Sequence, residues 1–292
     1  MKIWTFVFFT FFMAGCSKNA IQSEELYLNL SDLNLETLLI DSGIDSEGLT
    51  DGKILKSDVL STTHLKLTNL EAINGEYFHI TDLRYFENLT FLEIRNRREP
   101  IDLSANQKLD TLRMSYYYAQ RLDLSKNTNL KALYLSASQL KTLDLSQNIN
   151  LSQIEIFDIP LTSLIVNATL QKMVVSGTRM KSLDLTHCYR LKYLSCPDSY
   201  LESLDLSQNG NLDYVNLTYN YLRTLILPTR MCQDAIISEL HIEKNRNYLK
   251  KICVCDEYQA NANKLRKLYI PYYYWTYAWT TDENVVFEEC KK

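Results

Sequence analysis

Hydrophobic and polar residues alternate along this chain in short lines of the form Leu-x-Leu, not in helical steps of three and four. One line recurs at a fixed interval: Ile101-Asp102-Leu103-Ser104, Leu122-Asp123-Leu124-Ser125 and Leu143-Asp144-Leu145-Ser146 are spaced by 21 residues. Leu164-Ile165-Val166 follows after another 21 and Leu183-Asp184-Leu185-Thr186 after 19, because the turn holding Asn167 is shorter. Leu204-Asp205-Leu206-Ser207 and Leu225-Ile226-Leu227 restore the 21-residue step. A helix, at about 100° per residue, scatters such leucines, whereas a strand turns both toward one face, so each line predicts a short strand. Self-similarity at this period marks stacked repeats.

Between these lines lies a second one with the spacing LxxLxLxxNxL. Leu130, Leu133, Leu135, Ser138 and Leu140 fit it with Ser for Asn, and Leu212, Val215, Leu217, Asn220 and Leu222 fit it with Val for the second Leu. The pattern resembles a leucine-rich repeat, and the composite form LxxLDLSxNxxLxxLxLxxNxL is similar to that of surface lipoproteins of Bacteroides-type bacteria. The resemblance covers residues 89–228. It implies an α/β leucine-rich repeat solenoid, curved and β-rich with 21-residue repeats, closed by a small helical N-terminal cap and an irregular C-terminal cap. Cys196 occupies the second apolar strand position, where that family often places Cys, which implies a small core residue.

One repeat cannot bury its own leucines, so coils must stack until their apolar edges merge. Strands about 4.8 Å apart make seven to ten coils an arc on the order of 35–45 Å long. Asn106, Asn127, Asn148, Asn209 and Asn220 are expected to hydrogen-bond backbone groups in the coil turns. Tyr117, Ser138, Ile159, Thr178 and Ser199 stand where the family has asparagine after the second strand, and those turns are expected to be less regular.

The chain divides into a leader (1–15), a tether (16–25), an N-terminal cap with degenerate repeats (26–88), the repeats (89–228) and a cysteine-containing C-terminal cap with degenerate repeats (229–292). Asp32 is positioned to cap a short helix running through Leu35, Leu38 and Leu39 to Gly43. Ile237, Leu240, Ile242 and Asn245 suggest one further coil, and Leu265, Leu268 and Ile270 a last one. The aromatic tail Tyr272 to Trp279 beyond them reads as cap packing or, alternatively, as an exposed binding patch.

Residues flanking the two apolar positions of each second line point away from the core and form a ladder on the expected concave face. It runs Phe91, Glu93, Arg95; Thr111, Arg113, Ser115; Ala132, Tyr134, Ser136; Gln153, Glu155, Phe157; Lys172, Val174, Ser176; Tyr193, Ser195, Pro197; and Tyr214, Asn216, Thr218. The leucines are fixed by packing and these positions are free to vary. Tyr, Phe and Arg are the side chains that most often carry binding energy at protein interfaces. The candidate partner-binding residues are Phe91, Glu93, Arg95, Arg113, Tyr134, Glu155, Phe157, Lys172, Tyr193, Tyr214 and Asn216. Five rings on one face (Phe91, Tyr134, Phe157, Tyr193, Tyr214) are expected to be exposed there. Aromatic rings beside Asn, Glu and Arg also suit stacking on sugars, and composition does not separate a protein ligand from a glycan.

Composition narrows the class. Of 292 residues 46% are hydrophobic and 23% charged, the balance of an ordered protein. With 31 basic side chains against 35 acidic ones the formal charge is -4, which argues against a nucleic-acid binder. Only 7 Gly and 5 Pro are present beside 20 Tyr, so most turns must be made without the usual punctuation.

Lys2 precedes the apolar run Ile3 to Met13, and Ala14-Gly15-Cys16 leads into the polar Ser17-Lys18-Asn19. The run is too short to span a bilayer and reads as a secretory signal. It resembles a bacterial lipoprotein signal, which implies cleavage before Cys16 and lipidation of its sulfur. Met13 departs from the Leu usual at that position. The expected location is therefore the cell envelope, as an outer-membrane lipoprotein facing outward or into the periplasm. Cys188, Cys196, Cys232, Cys253, Cys255 and Cys290 remain, and an exported chain can form one or two bridges among those after residue 230, with connectivity open.

Other chemistry is sparse. Asp102, Asp123, Asp144, Asp184 and Asp205 should stack between coils, and their recurrence points to a structural cause such as a hydrogen bond to a neighbouring coil. Asp45 to Asp58 resembles an acidic loop of the form DxNxDGxI, with Asp51-Gly52-Lys53-Ile54 at its centre and Asp58 at its close. Leu49 stands where an oxygen ligand belongs, so a hydrogen-bonded turn is favoured over calcium. The glycines compose neither GxSxG nor a phosphate loop, and the histidines form no HExxH. The expectation is a non-enzymatic, cofactor-free envelope lipoprotein, tethered to the membrane by lipid alone, whose solenoid binds another protein. A glycan- or mucin-binding accessory protein and a structural spacer are the alternatives.

Overall fold

The computed structural model describes residues 26–68, 80–228, 237, 239–242, 244–245, 249, 251–254 and 286–289. The leader, the tether with Cys16, Cys232, Cys255, Cys290, the Cys253 side chain, the line Leu265 to Ile270 and the aromatic tail lie outside the described residues. No helix among the described residues is long and apolar enough to cross a membrane.

Strands β1 (Tyr27–Asn29) and β2 (Lys53–Leu55) pair antiparallel. Then come β3 (His64–Leu67), β4 (Phe91–Arg97), β5 (Thr111–Tyr117), β6 (Ala132–Ser136), β7 (Thr142–Asp144), β8 (Gln153–Phe157), β9 (Ser163–Ile165) and β10 (Lys172–Ser176). They are followed by β11 (Tyr193–Ser195), β12 (Ser203–Asp205), β13 (Tyr214–Asn216), β14 (Thr224–Ile226), β15 (Glu239–His241), β16 (Lys251–Val254) and β17 (Val286–Glu289). Nine of these form one parallel sheet in the order β3-β4-β5-β6-β8-β10-β11-β13-β15, each coil adding one strand to the growing edge. On other sides of the coils, first-line strands pair in parallel as β7-β9 and as β12-β14-β16-β17. A parallel ladder between neighbouring coils is what stacked circuits of similar length produce, because each circuit returns the chain to the same side, one strand spacing further along.

Register holds throughout the main sheet. Leu92, Leu112, Leu133, Ile154, Met173, Leu194 and Val215 lie opposite one another in successive strands. All seven are fully buried. The first-line residues Leu103, Leu124, Leu145, Leu185 and Leu206 meet them from the other side of each coil within one continuous cluster. At the N-terminal end Asp32 caps helix Leu33–Asp41 by accepting hydrogen bonds from the amides of Asn34 (2.8 Å) and Leu35 (3.3 Å). Leu35 and Leu39 of that helix belong to the same core.

Two columns of backbone chemistry close the coils. In the first, Asn106 donates through Nδ2 to the carbonyls of Leu83 and Phe86, Asn127 to those of Leu103 and Asn106, and Asn148 to those of Leu124 and Asn127. Asn167 reaches Leu145 and Asn148, and Asn209 reaches Leu185 and Cys188. Each asparagine thus stitches its coil to the one before. Cys188 occupies the same column, its Sγ 3.4 Å from the carbonyl of Asn167.

The second column is one of left-handed backbone. Asn96, Tyr116, Ala137, Asp158, Gly177, Asp198, Tyr219 and Lys244 all have positive φ, between 48° and 67°. Each is followed by a buried residue: Arg97, Tyr117, Ser138, Ile159, Thr178, Ser199, Asn220 and Asn245. Here the structure corrects the expectation that replacing asparagine in this position loosens the turn. What the coils share is the left-handed residue, which flips the next side chain inward whatever its type. Tyr117, for instance, satisfies its buried hydroxyl by donating to the carbonyl of Arg121 at 2.7 Å.

Candidate functional site: the ladder face of the main sheet

Alternation within the parallel strands sends the apolar residues inward and their neighbours outward, so the outer face is a grid of rows and columns. One column reads His64, Phe91, Thr111, Ala132, Gln153, Lys172, Tyr193, Tyr214 and Glu239. The next reads Lys66, Glu93, Arg113, Tyr134, Glu155, Val174, Ser195, Asn216 and His241. Arg95, Ser115, Ser136, Phe157 and Ser176 form a third, shorter one. All eleven candidate residues therefore share one face in register. His64 and Lys66 at one end, and Glu239 and His241 at the other, extend the grid beyond the residues singled out from sequence. Their signal was present in the alternations His64-Leu65-Lys66-Leu67 and Glu239-Leu240-His241-Ile242.

The side chains are tied to their neighbours on adjacent coils. Tyr193 and Tyr214 stack face to face with centroids 4.3 Å apart and planes 2° from parallel, as strand spacing dictates for rings one coil apart. Burial, with the contact to the Tyr193 hydroxyl, raises the Tyr214 phenol above its ordinary pKa. Lys172 lies 5.9 Å from the Tyr193 centroid, and His241 meets Tyr214 at 5.7 Å. The Arg113 guanidinium sits 4.3 Å from the Tyr134 centroid and 6.0 Å from that of Phe91, whose ring also stacks with His64. Glu93 pairs with Arg95 at 2.8 Å, and Glu155 pairs with Lys172 at 2.7 Å. Gln153 donates to both Tyr134 and Glu155.

This geometry corrects the expectation of five exposed rings. Phe91, Tyr134, Tyr193 and Tyr214 are half-buried, because cations and rings from adjoining coils lie over their faces; Phe157 alone of the five is exposed, at 38%. Between β4 and β8 the grid dips into a hollow of about 170 Å³ bordered by Glu93, Arg113, Ser115, Tyr134, Ser136 and Phe157, among others.

The other candidate chemistry resolves into structure. Asp102, Asp123, Asp144, Asp184 and Asp205 each accept from the backbone amide two residues on, at 2.8–2.9 Å. The bond is thus made within the coil and not to its neighbour, correcting the expectation from sequence. For Asp102 and Asp123 that amide bond, and for Asp184 first the Thr186 hydroxyl, holds the carboxyl below its ordinary pKa. At the segment 45–58, buried Glu36 of helix Leu33–Asp41 accepts from the amides of Asp51, Gly52 and Lys53, and Asp58 accepts from the amide and hydroxyl of Ser46. Glu36 is thus directed at the loop's backbone and Asp58 at Ser46; among the described residues no three His, Cys, Asp or Glu side chains are grouped so that they could hold a metal ion. Cys188 and Cys196 are free, buried thiols, which places Cys196 in the core as expected.

A leucine column buried in register, one parallel strand per coil, and asparagines bonding the preceding coil together decide the architecture. The chain folds as a leucine-rich repeat solenoid. No protein-family model matches it, and no curated protein does. Among solved structures, the solenoid is similar to the functional domain of InlJ from Listeria monocytogenes, which includes a cysteine ladder, at 21% identity and a TM-score of 0.45, covering 60% of this chain and 46% of that one. The internalin InlF of the same organism gives 14% identity and a TM-score of 0.45 over 78% of this chain and 84% of that one. A leucine-rich repeat protein of Leptospira interrogans gives 18%, with a TM-score of 0.40 over 64% of this chain and 54% of that one. The solenoid thus spans about half the length of the InlJ and Leptospira chains.

Proposed function

We propose that this solenoid is a binding scaffold that engages another protein through the ladder face, without turnover. The observation that carries the reading is the mutual bracing of the grid. Arg113 is clamped by two rings, Glu93 and Glu155 each hold a cation, and Tyr193 and Tyr214 are stacked. Such a surface is ordered before it binds, so association loses less side-chain entropy. It is also rich in the Tyr and Arg anchors of protein interfaces. Stacking a sugar needs an open ring face, and Phe91, Tyr193 and Tyr214 each lie against two neighbouring groups, which favours a protein ligand over a glycan. The leader 1–15, which ends before Cys16, supports a place in the cell envelope, held by a lipid on that cysteine, with the ladder as the concave, partner-facing side.

Chemical cross-linking on intact cells, comparing the native chain with the Tyr134→Ala/Phe157→Ala variant, tests the reading. Loss of a discrete cross-linked protein in the variant supports it; an unchanged profile contradicts it. Saturable binding on a glycan array that disappears in Tyr134→Ala and Tyr193→Ala would instead establish the sugar-binding alternative. Retention of the Cys16→Ser protein in membranes would overturn the anchor.

A further inference from the structure

We infer that the hollow between β4 and β8 is a seat for a single carboxylate, the side chain of an Asp or Glu presented by the partner protein, with an apolar neighbour of that residue laid on Phe157. The inference rests on the protein-binding reading above and specifies the chemistry of its ligand. It starts from an imbalance of charge. From β3 to β10 the grid carries four cations (Lys66, Arg95, Arg113, Lys172) but two carboxylates (Glu93, Glu155), although the chain as a whole is acidic with a net charge of -4. Arg95 and Lys172 are paired with those two carboxylates.

Arg113 is different. Its guanidinium is held 4.3 Å from the Tyr134 centroid and 6.0 Å from that of Phe91, and it makes no ion pair among the described residues. The Arg113 guanidinium donates no hydrogen bond among the described residues, so its N–H groups, whose spacing matches a carboxylate, are unengaged. Ser115 follows Arg113 by two residues on the same face, and Ser136 lies opposite Ser115 in the next coil. Both serines border the hollow, and neither hydroxyl has a hydrogen-bond partner among the described residues. A planar cation and two free hydroxyls therefore converge on one small space.

Glu93 and Glu155 border the same space, with Arg95 beside Glu93, and set its selectivity. Two carboxylates already neutralised by their own cations tolerate one further negative charge opposite Arg113, but oppose a dianionic phosphate. Phe157, the exposed ring at the edge, supplies apolar area beside that charge.

The test is selection of a random 12-residue peptide library, displayed on phage, against the immobilised full chain, followed by affinity measurements on the enriched peptides. The expected result is enrichment of Asp or Glu beside Phe, Leu or Tyr. The strongest peptide should bind at least about tenfold more weakly to Arg113→Gln, about equally to the distant control Lys126→Gln, and more tightly to Glu93→Gln. Arg113→Lys, which keeps the charge but not the planar edge, should lose most of the affinity too. Replacing the peptide's acidic residue by Asn or by phosphoserine should weaken binding. Enriched peptides that lack acidic residues but lose binding in Phe157→Ala would overturn the inference and leave the ladder reading standing. Peptides indifferent to every ladder substitution would overturn both. A selection that enriches nothing counts against the carboxylate seat, and equal melting temperatures of the variants would show that folding is not the cause.

Discussion

Asn148 offers a sharp test of how the coils are held together. It is fully buried, and its Nδ2 donates at 2.9 Å to the carbonyls of Leu124 and Asn127 in the coil before. Both carbonyls also accept a backbone amide, from Asn127 and Leu130, so deletion of the side chain leaves neither without a partner. The loss is then two bonds at about 1 kcal/mol each. A small cavity adds about 1 kcal/mol. Removal of the Asn148 Oδ1, which has no partner, returns about the same amount. The balance predicts that Asn148→Ala destabilises the chain by about 2 kcal/mol. Asn150→Ala is the internal control. Asn150 makes a similar bond to the carbonyl of Thr128 at 3.0 Å, but on the exposed surface, where water replaces it, and the expected cost is under about 0.5 kcal/mol. Asn148→Cys, which reproduces the single sulfur contact of Cys188, should fall between. The assay is urea unfolding followed by far-UV circular dichroism, with a lower midpoint at unchanged slope. Equal midpoints for Asn148→Ala and Asn150→Ala would refute the view that the buried asparagine column stitches the coils.

Three further outcomes follow from other columns. Gly177 has φ +67°, and a Cβ placed there would lie 2.7 Å from Asp158 Oδ1 and 3.1 Å from the Asp158 backbone, so Gly177→Ala should cost about 2 kcal/mol in the same assay, whereas Ala137→Gly, at φ 48°, should be neutral to mildly stabilising. Because the carboxyls of Asp102, Asp123 and Asp184 titrate below the ordinary value in the folded chain, the stability they contribute is present above about pH 4 and lost as pH falls through their lowered values; melting temperature should drop between about pH 4 and 2, and less steeply in the Asp102→Asn/Asp123→Asn/Asp184→Asn variant. Burial pushes the Cys188 thiol up to about 11 and that of Cys196 up to about 12, so neither should be alkylated by iodoacetamide at pH 8 in the native state, and both should react in urea; mass spectrometry of the modified peptides reads the result.

Much of this molecule is legible in its spacing. The recurring lines show which residues meet across coils, because each apolar strand line pairs with the corresponding line of the next coil, and Leu92 through Val215 align in that way although their steps vary between 19 and 21 residues. The ladder residues follow, since strand alternation leaves them no other side. Helix Leu33–Asp41 is announced by Asp32 and its apolar steps. Less visible was how ladder side chains treat one another. The stack of Tyr193 on Tyr214 and the clamp on Arg113 depend on rotamers chosen between coils, which no single repeat encodes. The left-handed column was hidden for a different reason. Seven of its eight members are not glycine, so the usual marker of positive φ is missing at Asn96, Tyr116 or Asp158. The partner of the recurring aspartates is not legible either, because recurrence tells that a role is shared without telling which group fills it.

Site-specific photocross-linking from two exposed positions probes the central claim most directly. A benzophenone side chain is placed at Phe157 on the ladder face, or at Ile165, where β9 presents an exposed residue on a different sheet, and intact cells are irradiated. The account predicts a discrete protein adduct from position 157 and none from position 165. Adducts from 165 alone, or equally from both, would contradict it.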